Sequence, residues 1–356
     1  MNKKIPVCEP FLNGNEIEYV HEAVSTGWIS SGGTFVRKFE EAFSAYSGMK
    51  YGVAVTNGTA ALHIALRSLG VGPGDEVIIP SFTMIASAFA VCYCGATPVF
   101  IDVDPKSWNM DVTLLEAKIT SKTKAIMPVH IFGTMCDMDE ICAIADHYKL
   151  FIVEDAAEAH GAEYKEKKAG SFSEMSAFSF YANKNISTGE GGMVLTNDSL
   201  LYDKARYFKN LCFSLENGRD YSHNDIGFNY RMSNIHAAIG LAQTEKCDFY
   251  RKLRIKNHFL YRENLKDIPG IQFQQVKEDR VSVHWMNALL INEQEFGVSK
   301  NAVMKKLSDN KIGTRLLFTG MHRQKALIDY GCDNSEAYSI TSDSRSKSHC
   351  SLKAGV

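Results

Sequence analysis

The stretch Tyr51-Gly-Val-Ala-Val-Thr-Asn-Gly-Thr-Ala-Ala-Leu-His-Ile-Ala-Leu-Arg-Ser-Leu69 changes period in its middle. Tyr51 to Thr56 is a short apolar run that fits a buried strand, Asn57-Gly58-Thr59 is a tight turn, and Ala60 to Leu69 reads as a helix. A strand that feeds a helix through a glycine turn aims free N–H groups and the positive end of the helix dipole at the space beyond the strand. That arrangement suits a phosphate dianion. It also serves as an ordinary connection.

Outward from this unit the alternation continues. Strand-like Glu76 to Pro80, Pro98 to Asp102, Ala125 to His130 and Leu150 to Glu154 are interleaved with helix-like Ile85 to Cys94, Val112 to Ile119 and Met138 to Tyr148. Such alternation predicts an α/β fold with crossover units and a largely parallel sheet. Ligands of such sheets gather at the C-terminal ends of the strands, where Glu154-Asp-Ala-Ala-Glu-Ala-His-Gly161 places Asp155. Asp155 therefore either enters a crevice or caps a helix.

Lys184 follows in Ser179-Phe-Tyr-Ala-Asn-Lys-Asn-Ile-Ser-Thr-Gly-Glu-Gly-Gly192, a polar turn entered from apolar Met175 to Phe180 and left through Gly189, Gly191 and Gly192. Most lysines are solvated and do no chemistry. This one shares its chain with a phosphate cradle and a strand-end carboxylate, and the three together meet the needs of pyridoxal 5′-phosphate. A lysine holds the aldehyde carbon, the cradle anchors the phosphate, and an aspartate keeps the pyridine nitrogen protonated so that the ring accepts electrons.

After Ser233 a long helical pattern, Ala237 to Leu265, stops before Pro269-Gly270; Val281 to Ile291 then reads as a strand and Lys300 to Asp309 as a helix. The expected division is a large cofactor-binding domain over residues 1–240, a small domain over 241–343, and a tail over 344–356. At 356 residues, 45% hydrophobic, the chain can bury a substantial core. A formal net charge of −2 offers no long-range attraction to nucleic acid or to an anionic membrane. No apolar run reaches the length of a bilayer, and the N-terminus lacks the hydrophobic segment of a secretion signal, so a cytoplasmic enzyme is expected. Nine cysteines without a C-x-x-C pair, and histidines without metal spacing, argue against a disulfide framework or a metal site.

Gly27-Trp-Ile-Ser30, Thr56-Asn-Gly-Thr-Ala-Ala-Leu62, Pro80-Ser-Phe-Thr-Met84, Asp155-Ala-Ala-Glu-Ala-His-Gly161, the lysine run and Gly227-Phe-Asn-Tyr-Arg-Met-Ser-Asn234 resemble the DegT/DnrJ/EryC1/StrS sugar aminotransferases. The resemblance spans about residues 5–327 and implies a fold-type I, aspartate aminotransferase-like PLP-dependent transferase, with a large, mostly parallel sheet domain and a small C-terminal α/β domain. Within the group the lysine run is most similar to the GDP-perosamine synthases, which aminate a GDP-linked 4-keto-6-deoxymannose; UDP- or dTDP-linked keto sugars are the alternative acceptors. Glutamate is the implied amino donor. Some relatives are dehydratases with histidine in place of the lysine, so Lys184 favours amination.

What the resemblance implies for single residues follows the same chemistry. Lys184 would be the covalent anchor and then the proton carrier, a role that needs an ammonium pKa well below its usual value. Asp155 would pair with the ring nitrogen and Glu158 would approach the ring hydroxyl. Gly58, Thr59 and Ser179 would hold the phosphate, and Phe82 would lie against the ring, although Phe82 also suits a core and Glu158 a surface. Asn229 would reach the phosphate of a neighbouring subunit, which demands a homodimer or larger assembly with a shared site. Arg315 could meet a substrate phosphate and His322 a sugar hydroxyl, or both could be surface groups. The end departs from the family: Ser344 to Val356 has neither periodicity nor a hydrophobic face, which predicts a disordered tail, a small sheet short of one strand, and a chain of impaired stability or turnover.

Overall fold

A computed structural model describes residues 4–215, 221–335, 338 and 347–352, the last segment as backbone. Its centre is a seven-stranded sheet in the order β1-β9-β8-β5-β4-β2-β3. The strands are β1 (Tyr51–Val55), β2 (Glu76–Pro80), β3 (Thr97–Ile101), β4 (Thr123–Ile126), β5 (Phe151–Asp155), β8 (Met175–Ser179) and β9 (Gly192–Thr196). From β3 through β8 every neighbouring pair is parallel, and β9 runs antiparallel to both β8 and β1.

Alternation along each strand divides the core into two layers. Val53, Val55, Val77, Ile79, Val153 and Val194 face one cluster with α3 (Gly58–Ser68) and α4 (Ala86–Tyr93). Ala54, Ile78, Ile152, Phe178 and Met193 face the other, where Phe35, Phe39 and Phe43 of α2 (Thr34–Tyr46) pack with Ala237 and Ala238 of α7 (Asn234–Thr244). Both faces of the sheet are thus covered, and only the strand ends remain for a ligand.

Three expected elements take another form. Val112 to Ile119 is two 3-10 turns, because Asp111 accepts from both the N–H and the hydroxyl of Thr113 and closes a tight turn there. The helical run from Ala237 to Leu265 is two helices, α7 and α8 (Cys247–Leu265). At the break the Thr244 hydroxyl bonds back to the Gly240 carbonyl, and the Glu245 carboxylate is held by Asn15 and Tyr19, which belong to the α1 (Glu16–Ser25) region. Val281 to Ile291 divides into β11 (Arg280–Val281) and β12 (Asn287–Asn292). The segment between them leaves its strand path to lie on the large sheet's loops, with the Val283 N–H donating to the Gly133 carbonyl and the Trp285 N–H to the Phe132 carbonyl.

β11 pairs with β6 (Glu163–Tyr164), which also pairs with β7 (Lys167–Lys168). A four-stranded antiparallel sheet has the order β10 (Ile271–Phe273), β12, β14 (Lys347–Leu352), β13 (Thr314–Arg315). The turn α9 (Glu293–Phe296) and the helix α10 (Lys300–Asp309) accompany this sheet. β14 corrects the expectation of a disordered tail over residues 347–352: strand pairing is a backbone property, and these residues fill the slot between β12 and β13 without an apolar sequence pattern. The remainder of the tail, residues 344–346 and 353–356, lies outside the described residues. No helix among the described residues is long and apolar enough to cross a membrane.

Candidate active site

At the C-terminal end of β5, the β1–α3 turn, the lysine loop and the Trp285 segment enclose a cavity of about 340 Å³. Gly58, Thr59, Asp155, Glu158, Ser179 and Lys184, drawn from separate sequence motifs, all line it.

Asn57 starts α3: its side chain accepts the Ala60 N–H at 2.9 Å, which leaves Gly58 and Thr59 as the first helical residues. A Cβ at Gly58 would sit 2.7 Å from the Ser179 Cβ, so the turn and the end of β8 are in contact and only glycine fits. The helix N-terminus and the Ser179 hydroxyl are brought together by that closeness.

Asp155 is only 5% exposed. Its Oδ2 accepts the Ser87 hydroxyl at 2.7 Å and its Oδ1 the Ala157 N–H at 3.2 Å. Burial raises its pKa, while Ser87, the Ala157 N–H and Lys184 oppose the rise. Glu158 Oε2 accepts the Phe132 N–H at 2.7 Å, and burial pushes this carboxyl up to about 7 against the pull of Lys184. The Lys184 Nζ lies 3.9 Å from Glu158 Oε1 and 3.7 Å from the centre of the Trp285 ring. Burial depresses the ammonium, and Glu158, Asp155 and Cys8 pull it back. The direction is the one a proton-carrying lysine needs.

These groups fit pyridoxal 5′-phosphate on their own chemistry. A helix start that tolerates no side chain suits the phosphate, a buried carboxylate across the cavity suits a protonated ring nitrogen, and a buried amine of depressed pKa suits the aldehyde.

Other expected residues fall elsewhere. Phe82 is fully buried in a cluster with Phe132 and Phe318 and is not among the cavity-lining side chains, which from its loop are Thr83 and Met84. Asn229 and Arg315 are exposed and lie outside the cavity. His322 is buried against Tyr338, 4.5 Å between ring centres, also outside it. His160 packs among Phe43, Phe178 and Phe180, and its pKa falls to about 3, chiefly through burial. His130 Nδ1 accepts the Cys136 N–H, so Nε2 carries the proton toward Glu154, 2.9 Å away. No His, Cys, Asp and Glu cluster among the described residues has the form of a metal site. Sequence reasoning missed Asn57, Ser87 and Trp285. The Asn-Gly turn and the cap three residues before Ala60 signal Asn57; nothing local signals Trp285.

The DegT/DnrJ/EryC1/StrS aminotransferase family model matches residues 10–355. The chain is 45% identical over 320 residues to the GDP-perosamine synthase of Escherichia coli O157:H7, covering 90% of this chain and 86% of that protein. It is 46% identical over 320 residues to the GDP-perosamine synthase of Caulobacter vibrioides, covering 90% and 85%. Among solved structures, Spr1654 from Streptococcus pneumoniae in its PMP form superposes with a TM-score of 0.88 at 26% identity, covering 98% of this chain and 92% of that one.

Proposed function

Because the chain belongs to the DegT/DnrJ/EryC1/StrS aminotransferase family and is a pyridoxal phosphate-dependent sugar aminotransferase, we propose that it moves the amino group of glutamate to C4 of GDP-4-keto-6-deoxymannose, giving GDP-perosamine for a surface polysaccharide. The observation that carries this reading is the identity shared with two GDP-perosamine synthases across most of the chain. A nucleotide-linked acceptor supports a cytoplasmic reaction, since nucleotide sugars are made there.

When bound, pyridoxal phosphate supplies an aldehyde that takes up the amino group and a ring that accepts electrons from the carbon losing its proton. Lys184 would hold that aldehyde and, as a free amine in the cavity, would be the group that carries the proton. Asp155, held by Ser87 and the Ala157 N–H, keeps the ring nitrogen protonated. Gly58, Thr59 and Ser179 receive the phosphate, and Glu158 orients the ring hydroxyl. Asn229, exposed on this chain, reaches the cofactor phosphate of a second copy, so the working unit is at least a homodimer. Arg315, on β13, meets the substrate diphosphate. His322 packs against Tyr338, and we assign it no contact with the sugar.

The test is a glutamate-dependent amination assay with GDP-, UDP- and dTDP-linked 4-keto-6-deoxy sugars. The 4-amino sugar should form from the GDP-linked acceptor. Turnover confined to a UDP- or dTDP-linked acceptor would overturn the choice of substrate and leave the aminotransferase reading intact.

A further inference from the structure

Trp285 stands far from every motif that marks the site, yet its indole covers the Lys184 ammonium, 3.7 Å from Nζ to the ring centre. It is 5% exposed and fixed from three sides. Its Nε1–H donates to the Asn183 carbonyl at 2.7 Å, its backbone N–H donates to the Phe132 carbonyl at 2.9 Å, and its own carbonyl accepts from Arg254 at 3.2 Å. The ring is therefore tied to the residue preceding the lysine, to the loop after β4, and to α8.

Phe132 links this arrangement to the other neighbour of the amine. Its N–H donates to Glu158 and its carbonyl accepts from Trp285, so the two groups that flank Nζ hang from one residue. Phe132 has φ 53, a left-handed conformation that a non-glycine residue keeps only where its surroundings impose it. His284, next to Trp285, is also left-handed at φ 46, with its ring stacked on His258 at 3.5 Å. Two such residues bracket the ring and set its angle.

We propose that Trp285 is a positioning residue whose indole face is the resting place of the Lys184 ammonium whenever that amine is not joined to the cofactor. A buried amine loses hydration, and an aromatic face is a hydrogen-free surface that still attracts a cation without competing for its proton. Glu158 and Asp155 from the β5 end, Cys8 from the N-terminal segment and neutral His160 are near the amine; Glu9, Tyr250 and Arg254 share a smaller cavity with it, and Tyr181 and Glu190 line the main one. Resting on the ring, Lys184 stays in the cavity as an ammonium and returns to the base form from a fixed distance.

The inference rests on the reading of Lys184 as the catalytic amine, and its test is made on the apoprotein, without turnover. The chain contains three tryptophans; Trp28 is largely exposed and Trp108 fully buried, and Trp285 is the ring over Lys184. Replacing tryptophan globally by mono-, di- and tetrafluorinated analogues weakens the attraction of the ring face with little change of shape. Competitive acetylation across pH, followed by mass mapping of the Lys184 peptide, reads the acidity of that amine. The acid constant should rise stepwise, by about threefold or more at tetrafluorination, and similarly in Trp285→Leu, with Trp285→Phe nearer the native value. A titration unmoved by fluorination overturns the proposal, whether or not the Leu variant folds. Borohydride trapping of pyridoxal phosphate separately tests the role of Lys184: an adduct on another peptide would defeat that reading even if the acidity followed fluorination.

Discussion

Lys184 and Asp155 divide the chemistry by environment, one a cation that burial makes more acidic and the other an anion that burial disfavours. The Ser87 hydroxyl and Ala157 N–H orient the Asp155 carboxylate and oppose the rise that burial imposes on its pKa, and an amide in its place could not hold a proton on the ring nitrogen. Asp155→Asn should therefore lower kcat by about a hundredfold or more, on the scale of losing a preorganised electrostatic partner, while Lys184 still binds the cofactor covalently. Single-turnover absorbance with glutamate measures it; a variant as fast as the parent would remove Asp155 from the chemistry. At this scale the sequence pointed to Lys184 and Asp155, because a lysine on a glycine-flanked turn and an aspartate at a strand end are local patterns, whereas Arg315 and His322 lie outside the cavity. Trp285 was illegible, since what places it is a departure of its own segment from the strand path, decided by bonds to the Phe132 and Gly133 carbonyls. Phe82 was misplaced for the same reason in reverse: an aromatic beside a ring-binding loop looks identical in sequence whether it faces a cavity or a core.

Among elements, β2 and β5 were legible to within a residue or two, because their apolar runs are bounded by turn residues, while β4 ends at Ile126 and not at the expected His130. Helix boundaries failed where a side chain bonded its own backbone, as Asp111 and Thr244 do, because periodicity does not record such competition. β14 is the instructive miss. A strand between two partners is held by ladder bonds on both edges, and its six residues pair with Asn287–Asn292 throughout and with Thr314–Arg315 on the other side. Ending the chain after residue 346 should then leave β12 and β13 with facing unpaired edges. The expected result is a fall in Tm of about 2–4 °C or more, one or more kcal/mol on a domain of this kind, together with a rise in aggregation. Scanning calorimetry and light scattering check it; a truncated chain as stable as the parent would return the tail to the status first read from its composition.

For the molecule as a whole, the cavity is assembled from a sheet end, a loop far along the chain and a segment between two small strands, so its completeness depends on packing between distant parts of the sequence. On the function proposed above, Asn229 would extend this dependence to a second copy. It is exposed, pairs through its backbone with Asn210, and stands outside the cavity of its own chain. If it completes the phosphate cradle of a neighbour, then a Lys184→Ala chain and an Asn229→Ala chain each assemble defective sites when alone. Mixed dimers differ: one of their two sites combines the intact Lys184 of one copy with the intact Asn229 of the other. Random reassociation of equal amounts makes half of the dimers mixed, so about a quarter of the parental activity should return. Titrating one variant into the other after partial dissociation, with amination as the readout, tests this. Activity equal to the average of the two separate variants at every ratio would mean that each chain completes its own site.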